Sequence, residues 1–182
     1  LPLLFQNGFG LTPFQSGLLI FATGFGAMFM KTQAAAILRR WGYRNVLIFN
    51  ALVAAFFSTM PALFTAATPA LIMSVIFLAG GLSRSLQFTG LNTISFADIP
   101  EAKLSRATSF ASVVQELSGA VGVSIAALGL ELMMRIDATG LMTPAIFPPV
   151  FLAISFVSGL SALVFIFALD RDAGASLLAK AD

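Results

Sequence analysis

Three charged side chains, Lys31, Arg84 and Glu116, lie within stretches of sequence that are otherwise largely apolar. An unpaired charge at the centre of a membrane-spanning helix costs about 2.5–3.5 kcal/mol, so such residues face a bundle interior or a water-filled cavity. There a cation can bind an electron-rich group, and a carboxylate can take up and release a proton. These residue types point to a pathway for a substrate or protons.

Polar side chains accompany these charges, and the full candidate pathway set is Lys31, Arg84, Gln87, Asn92, Gln115 and Glu116. Arg84 and Glu116 would differ in height by about 6 Å on adjacent antiparallel helices. Three interpretations are open: an ion pair that only neutralises two buried charges, a substrate or proton role, and snorkelling or a depth in the span that differs from the expected one. For Lys31, near a helix end, snorkelling to the interface is an equal alternative to a cavity role.

The helices that must carry these side chains follow from the composition. Of 182 residues, 58% are hydrophobic and 10% charged, and the mean hydropathy is +0.96. A soluble domain carries about 25% charged residues. Residues 1–30, 45–83 and 138–169 contain no charge, and a membrane-spanning helix needs about 20 apolar residues. The sequence therefore predicts an all-α integral membrane protein with lipid as its surroundings.

Prolines and charges divide the chain into five full spans. Residues 1–13 are interpreted as the end of a truncated span followed by an external loop, and residues 170–182 as a cytoplasmic tail. The fourth span is expected to begin with Ser105 as its N-cap. The predicted transmembrane helices, all within residues 14–169, are 14–38, 45–64, 70–97, 106–134 and 147–169.

The distribution of lysines and arginines predicts an orientation. With five spans, only Arg135 falls in a loop on one side of the membrane, and positive residues mark the cytoplasmic side. We therefore expect a cytoplasmic C-terminus in a plasma membrane, such as the bacterial inner membrane. The cations on the predicted cytoplasmic side are Arg39, Arg40, Arg44, Lys103, Arg106, Arg171 and Lys180.

The composition also narrows the chemistry. The chain has no cysteine and no histidine, which removes the usual zinc, haem and iron–sulfur ligands and histidine-dependent acid–base catalysis. No Gly-x-Ser-x-Gly nucleophile motif is present. We therefore expect no metal, no cofactor and no enzymatic activity. The pI near 9.5 is explained by loop arginines, so no nucleic-acid partner is expected.

Small residues on the fourth predicted span suggest helix packing. Ser118, Gly122 and Ala126 form a small-xxx-small pattern, which lets two helix backbones approach closely. Gly119 and Gly122 are expected to pack against another helix. Ordinary packing and a sliding or rocking contact both fit this pattern.

Several segments together resemble drug exporters of the major facilitator superfamily, with the fourteen-span drug:proton antiporters of EmrB/QacA type as the nearest branch. The resemblance covers nearly the whole chain. It implies that the five spans are the last five of a C-terminal six-helix bundle, with the first, third and fourth around a central cavity. The segments that carry it are LPLLFQ (1–6), GLTPFQSGL (10–18), RSLQFTGLNT (84–93), ADIP (97–100), SRATS (105–109) and SGAVG (118–122).

The family's cytoplasmic loop motif corresponds here to Arg39, Arg40, Gly42 and Arg44. Arg39 stands where the family has an acidic residue, so the resemblance does not extend to a charge-relay gate. Anchoring at the lipid surface and contacts with helix ends remain open for these residues.

The resemblance implies export of small amphipathic compounds or drugs by alternating access, coupled to proton entry. The implied partners are the substrate, protons and a missing N-terminal half of the transporter. Glu116 is the one carboxylate deep enough in a span to carry a proton. Two alternatives stay open: a metabolite exporter or uniporter on the same scaffold, and a non-transporting membrane scaffold subunit.

Overall fold

The computed structural model describes residues 1–137, 142–170 and 173–174, and within these ranges the regular structure is entirely helical. Each of the five long helices is long and apolar enough to cross a membrane, α2 and α5 together with an adjoining short turn. The predicted all-α membrane architecture with five spans is confirmed. The helices are α1 (Pro13–Trp41), α2 (Tyr43–Thr59), α3 (Ala70–Ser95), α4 (Glu101–Ile136) and α5 (Phe147–Ala168).

Three short helical turns accompany them: a π-helical turn at Leu4–Gly8 and 3-10 turns at Met60–Leu63 and Pro144–Ile146. Most of the tail predicted at 170–182, including Arg171 and Lys180, lies outside the described residues.

Local sequence sets the limits of α1. Thr12 and Gln15 form a capping box, in which the Thr12 hydroxyl accepts from the Gln15 N–H at 3.3 Å and the Gln15 side chain accepts from the Thr12 N–H at 3.0 Å. Gly42 ends the helix with φ +78°, a conformation that side chains other than glycine rarely adopt. Because Gly42 alone separates α1 from α2, the chain reverses direction in one residue.

The start of α4 differs from the prediction. The helix begins at Glu101, directly after Pro100, so the expected N-cap at Ser105 is wrong. Pro100 marks the limit of the helix on its N-terminal side. The acidic side chain of Glu101 in the first turn interacts favourably with the positive end of the helix dipole. With 36 residues, α4 is about 54 Å long, well beyond the roughly 30 Å of a bilayer core.

The closest helix packing joins α1 and α3, which run parallel through the middle of the fold. A Cβ added at Gly26 on α1 would overlap the carbonyl oxygen of Leu78 on α3. A Cβ added at Gly81 on α3 would overlap the carbonyl oxygen of Thr23 on α1 in the same way. The two backbones therefore touch where each helix contributes a glycine to the other, as small residues allow in membranes.

A hydrogen bond strengthens this crossing, since the Ser85 hydroxyl on α3 donates to the carbonyl of Ala27 on α1 at 2.8 Å. Two apolar clusters lie on either side of it along the helices. The cluster at the Phe5 end comprises Leu4, Phe5, Leu19, Met73, Phe77, Ile146 and Phe147. The cluster at the Arg44 end comprises Ala34, Leu38, Tyr43, Val46 and Leu86.

The remaining helices attach unequally to this pair. Helix α2 packs against both α3 and α5, whereas α4 contacts mainly α5. That contact lies at the Phe5 end, where Gly129 faces Val150 and Met133 and Met134 pack on the apolar cluster. No described residue of α4 is buried. Helix α4 is thus held near one end and diverges from α3 toward the other.

Replacing Gly26 or Gly81 with alanine is expected to lower the free energy of unfolding by about 1–3 kcal/mol, the usual effect of forcing a methyl group into a close-packed site. Denaturation by SDS in mixed micelles, followed by circular dichroism, measures this change. Gly24→Ala is the matched control, because a Cβ there meets no atom within 4 Å and the variant reports only the gain in helix propensity. Equal stability of the Gly24 and Gly26 variants would contradict the proposed backbone contact.

Candidate functional site

A cavity of about 500 Å³ opens between α2, α3 and α5, and we call it the Arg84 cavity. Two of the predicted pathway residues, Arg84 and Gln87, line it from α3. Four phenylalanines supply much of its apolar wall. Its lining residues are Leu1, Thr23, Ala54, Phe57, Ser58, Pro61, Ile76, Phe77, Gly80, Arg84, Gln87, Phe88, Leu91, Phe151, Ile154 and Ser158.

Arg84 is the single charged side chain of that lining. Across the part of the chain that the structure describes, it has no hydrogen bond and no ion-pair partner, and the one ion pair joins Arg135 to Glu131 on α4. The ion pair between Arg84 and Glu116 that the sequence left open is not formed. Arg84 is also exposed within this chain, so no described residue competes with a ligand for its guanidinium.

Gln87 belongs to a polar network that the sequence analysis did not foresee. Asn50, on α2, is 4% exposed, and its amide nitrogen donates both to the Ser83 carbonyl and to the Gln87 side-chain oxygen, each at 2.8 Å. The Ser83 hydroxyl donates to the Asn50 side-chain oxygen at 3.0 Å. The network joins α2 to α3 beneath the cavity wall.

The signal for Asn50 was present in the sequence, as the one amide in the otherwise apolar stretch 46–57. A buried amide in a membrane helix needs hydrogen-bond partners, so its isolation indicates a polar contact with another helix. The expected arrangement, with the first, third and fourth spans around the cavity, did not include this contact of α2.

A second opening of about 450 Å³, the α3–α4 cleft, lies toward the Arg44 end. Asn92 on α3 and Gln115 on α4 line opposite walls, together with Phe88, Phe96 and Phe110. The Asn92 amide nitrogen donates to the carbonyl of Phe88 one turn earlier at 2.8 Å. Because Phe88 lines both openings, the cleft and the Arg84 cavity adjoin along α3.

The other predicted pathway residues lie elsewhere. Lys31 and Glu116 are exposed on α1 and α4, and neither lines one of these two openings. Gly119 and Gly122 are also exposed, and a Cβ at either would meet no described atom within 4 Å. The structure thus brings Arg84 and Gln87 together and places Asn92 and Gln115 across a neighbouring cleft. The roles predicted for the other four residues of this paragraph stay predictions.

The loop motif forms a contact with a helix end. The Arg44 guanidinium donates to the carbonyls of Leu169 at 2.9 Å and Ile166 at 3.0 Å, at the C-terminus of α5. A cation suits this position, because the last carbonyls of a helix lack partners and carry partial negative charge. Arg39 instead donates to the carbonyl of Ala35 on its own helix at 3.3 Å. Of the two roles left open by the sequence, helix-end contact is observed for Arg44.

Within residues 1–137, 142–170 and 173–174, no group of acidic side chains is arranged to hold a metal ion.

Comparison with known proteins shows the family to which this chain belongs. The sequence model of the Major Facilitator Superfamily matches residues 1–181. The chain belongs to this superfamily. The resemblance noted in the sequence is confirmed at the level of the superfamily. The finer placement in the EmrB/QacA branch is not matched closely.

Curated relatives carry the name MdtD and are described, provisionally, as multidrug resistance proteins. The chain is 31% identical to one from Pectobacterium atrosepticum over 90% of its own length and 36% of the relative. It is 30% identical to one from Klebsiella pneumoniae, over 90% and 35% respectively. One from Serratia proteamaculans is 35% identical over 70% of this chain and 27% of the relative.

The chain spans about a third of the length of these superfamily relatives, between 27% and 36%. No solved structure matches the chain significantly. Superfamily membership and the apolar helices establish an integral membrane protein of a transporter family.

Replacing Arg44 with methionine is expected to release the C-terminal turn of α5, because two carbonyls lose a charged donor. Since one bond is part-buried and the other exposed, we expect a combined loss of about 1.4 kcal/mol. Hydrogen–deuterium exchange of peptides covering residues 165–170 should accelerate about tenfold. Arg40→Met is the control, since Arg40 is exposed and none of its hydrogen bonds in the described structure reaches α5. Unchanged exchange in the Arg44 variant would show that the contact does not hold α5.

Proposed function

We propose that this chain forms part of a secondary active transporter that exports small amphipathic compounds or drugs. The observation that carries the proposal is the Arg84 cavity, which combines one guanidinium, one side-chain amide and a phenylalanine-rich wall inside a Major Facilitator Superfamily bundle. Ligand sites are mostly apolar and contain a few polar groups that fix orientation. A compound with an apolar body and a polar end matches both parts of this wall.

The volume of the cavity supports this proposal. At about 500 Å³, it lies within the range of about 300–1,000 Å³ typical of small-molecule sites. It adjoins the α3–α4 cleft along Phe88. Two adjoining openings along one helix are compatible with a transport pathway.

Unequal helix packing supports alternating access. The contact of α1 with α3 through Gly26 and Gly81 makes those helices a single unit. Helix α4 is attached mainly near one end, so its divergence from α3 can change with little loss of packing. Rocking of rigid units around a central site is a common mechanism of membrane transporters.

Orientation and location are part of the same proposal. The positive-inside rule places the Arg44 end in the cytoplasm and the Phe5 end outside, in a plasma membrane such as the bacterial inner membrane. The named relatives are about three times as long as this chain. The remaining helices of the complete transporter would then close the cavity, with lipid, substrate and protons as the other partners.

The transport test uses the intact transporter in proteoliposomes with an imposed pH gradient and three dyes: cationic ethidium, anionic 8-anilinonaphthalene-1-sulfonate and neutral Nile red. At least one dye should move against its gradient, and nigericin should abolish this movement by collapsing the pH gradient. Arg84→Gln should slow transport of the anionic dye about tenfold, the effect of removing one charge-assisted contact. The control Arg106→Gln alters an exposed cation that lines neither opening.

Movement of dye that is insensitive to the pH gradient would favour the uniporter alternative over antiport. If none of the three dyes moves while the protein is correctly inserted, the export proposal fails and the scaffold alternative gains.

Proton coupling by Glu116 is a separate prediction. Glu116→Gln removes the titratable group and keeps the shape of the side chain, so exchange of substrate down its gradient should continue while uphill transport stops. Trapped pyranine would report the loss of substrate-driven proton movement. Glu101→Gln, which changes a carboxylate in the first turn of α4, is the matched control. Full uphill transport by the Glu116 variant would remove this residue as the carrier.

A further inference from the structure

We propose that the Arg84 cavity selects amphipathic anions, with Arg84 and Gln87 binding the anionic group and Asn50 acting as the positioning residue for Gln87. This inference rests on the proposed function in that it assigns the class of compound that the cavity takes. It goes beyond that function by excluding amphipathic cations as preferred ligands.

The first step is the charge of the cavity. Arg84 is the one charged residue of its lining, and the lining of the adjoining α3–α4 cleft contains no charge at all. No described residue pairs with Arg84. Arg84 is exposed within this chain, and its guanidinium attracts anions and repels cations. A planar guanidinium also matches carboxylate or sulfonate oxygens with two parallel hydrogen bonds.

The second step is the orientation of Asn50. A carbonyl oxygen can only accept a hydrogen bond, so the atom of Asn50 that lies 2.8 Å from the Ser83 carbonyl must be its amide nitrogen. The other side-chain atom of Asn50 is then an oxygen, which accepts from the Ser83 hydroxyl at 3.0 Å. The contact with the Ser83 carbonyl therefore fixes the orientation of this amide, and the Ser83 hydroxyl, which can donate or accept, is compatible with it.

The third step is the orientation of Gln87, which its contact with Asn50 determines. The Asn50 amide nitrogen also contacts Gln87 at 2.8 Å, so the Gln87 atom facing it must be the acceptor oxygen. The amide nitrogen of Gln87 is left with N–H groups that no described residue accepts, and Gln87 lines the cavity. The network thus presents a donor, rather than an acceptor, to the ligand.

The fourth step is the alignment of the two groups. Arg84 and Gln87 are three residues apart on α3, and residues at that spacing lie on the same helix face. The guanidinium and the amide are both donors, so together they suit an anion with several oxygens. Phe57, Phe77 and Phe88 provide apolar surface for the rest of the molecule in the same cavity.

The test compares three ligands with one apolar body: 1-naphthaleneacetate as the anion, 1-naphthaleneacetamide as the neutral isostere, and (1-naphthylmethyl)trimethylammonium as the cation. Dissociation constants are measured by isothermal titration calorimetry with the intact transporter in nanodiscs of zwitterionic lipid. Such lipid limits binding of either ion to the bilayer surface. The anion should bind about tenfold more tightly than the amide, as expected for one charge-assisted pair, and the cation should bind most weakly.

Variants assign the selectivity to residues. Arg84→Gln should remove the advantage of the anion while leaving the affinity for the amide nearly unchanged, and Arg84→Lys should retain part of it. Gln87→Met and Asn50→Leu should each reduce the ratio of anion to amide affinity about threefold, the effect of one lost donor. Arg106→Gln should leave all three affinities unchanged. A purely structural role for Asn50 would lower all affinities together and leave the ratio intact.

The outcomes separate this inference from the proposed function. Equal or tighter binding of the cation, or an anion preference that survives Arg84→Gln, overturns anion selectivity but leaves amphipathic export standing. An unchanged affinity ratio in both the Asn50 and Gln87 variants overturns the positioning role. Absence of binding by all three ligands, with the protein folded and a dye still transported, shows that the cavity is not the ligand site and also overturns the inference.

Discussion

The contact between the backbones of α1 and α3 is the constraint on which the rest of the structure depends. Gly26 and Gly81 bring the two helices so close that no side chain fits between them. Membrane helices gain little from burying apolar side chains away from lipid, so close backbone contact and hydrogen bonds decide which pairs persist. The Ser85 bond across the same crossing adds a directional contact. Helix α2 attaches to this pair through α3, α5 packs against α2, and α4 contacts mainly α5.

The position of the cavity follows from that constraint. With one face of α3 occupied by α1, Arg84, Gln87 and Phe88 lie on parts of the helix that border open space. The bulky side chains of α2 and α5 cannot approach α3 as closely, so a cavity remains between them. The α1–α3 crossing therefore leaves no free volume, whereas the neighbouring region contains a cavity of about 500 Å³.

Composition and charge predicted the membrane class and the number of spans, because these depend only on how apolar residues and charges are distributed along the chain. The family was indicated instead by the resemblance of several sequence segments. Rotation of each helix about its axis was harder to predict. Gln115 lines a cleft, whereas its neighbour Glu116 does not, since adjacent helical residues point about 100° apart. Depth in a span indicated that both were candidates, but only helix pairing shows which one faces an opening.

Contacts between distant segments were beyond sequence reasoning for a similar reason. Nothing local marks Gly81 as the partner of Thr23, or Asn50 as the partner of Ser83 and Gln87. The ends of the helices were better predicted where proline or charge marks them, although α4 begins directly after Pro100 and not at Ser105.

The Arg44 contact has a consequence for biosynthesis. The hydrogen bond from Arg44 to Leu169 joins residues 125 positions apart in the chain. At a synthesis rate of about 5–20 residues per second, α5 emerges about 6–25 s after the arginine. During that interval the carbonyls at the end of α5 do not yet exist, and Arg44 must be hydrated or bound by lipid headgroups. Formation of this contact therefore marks the moment when α2 and α5 have been assembled together.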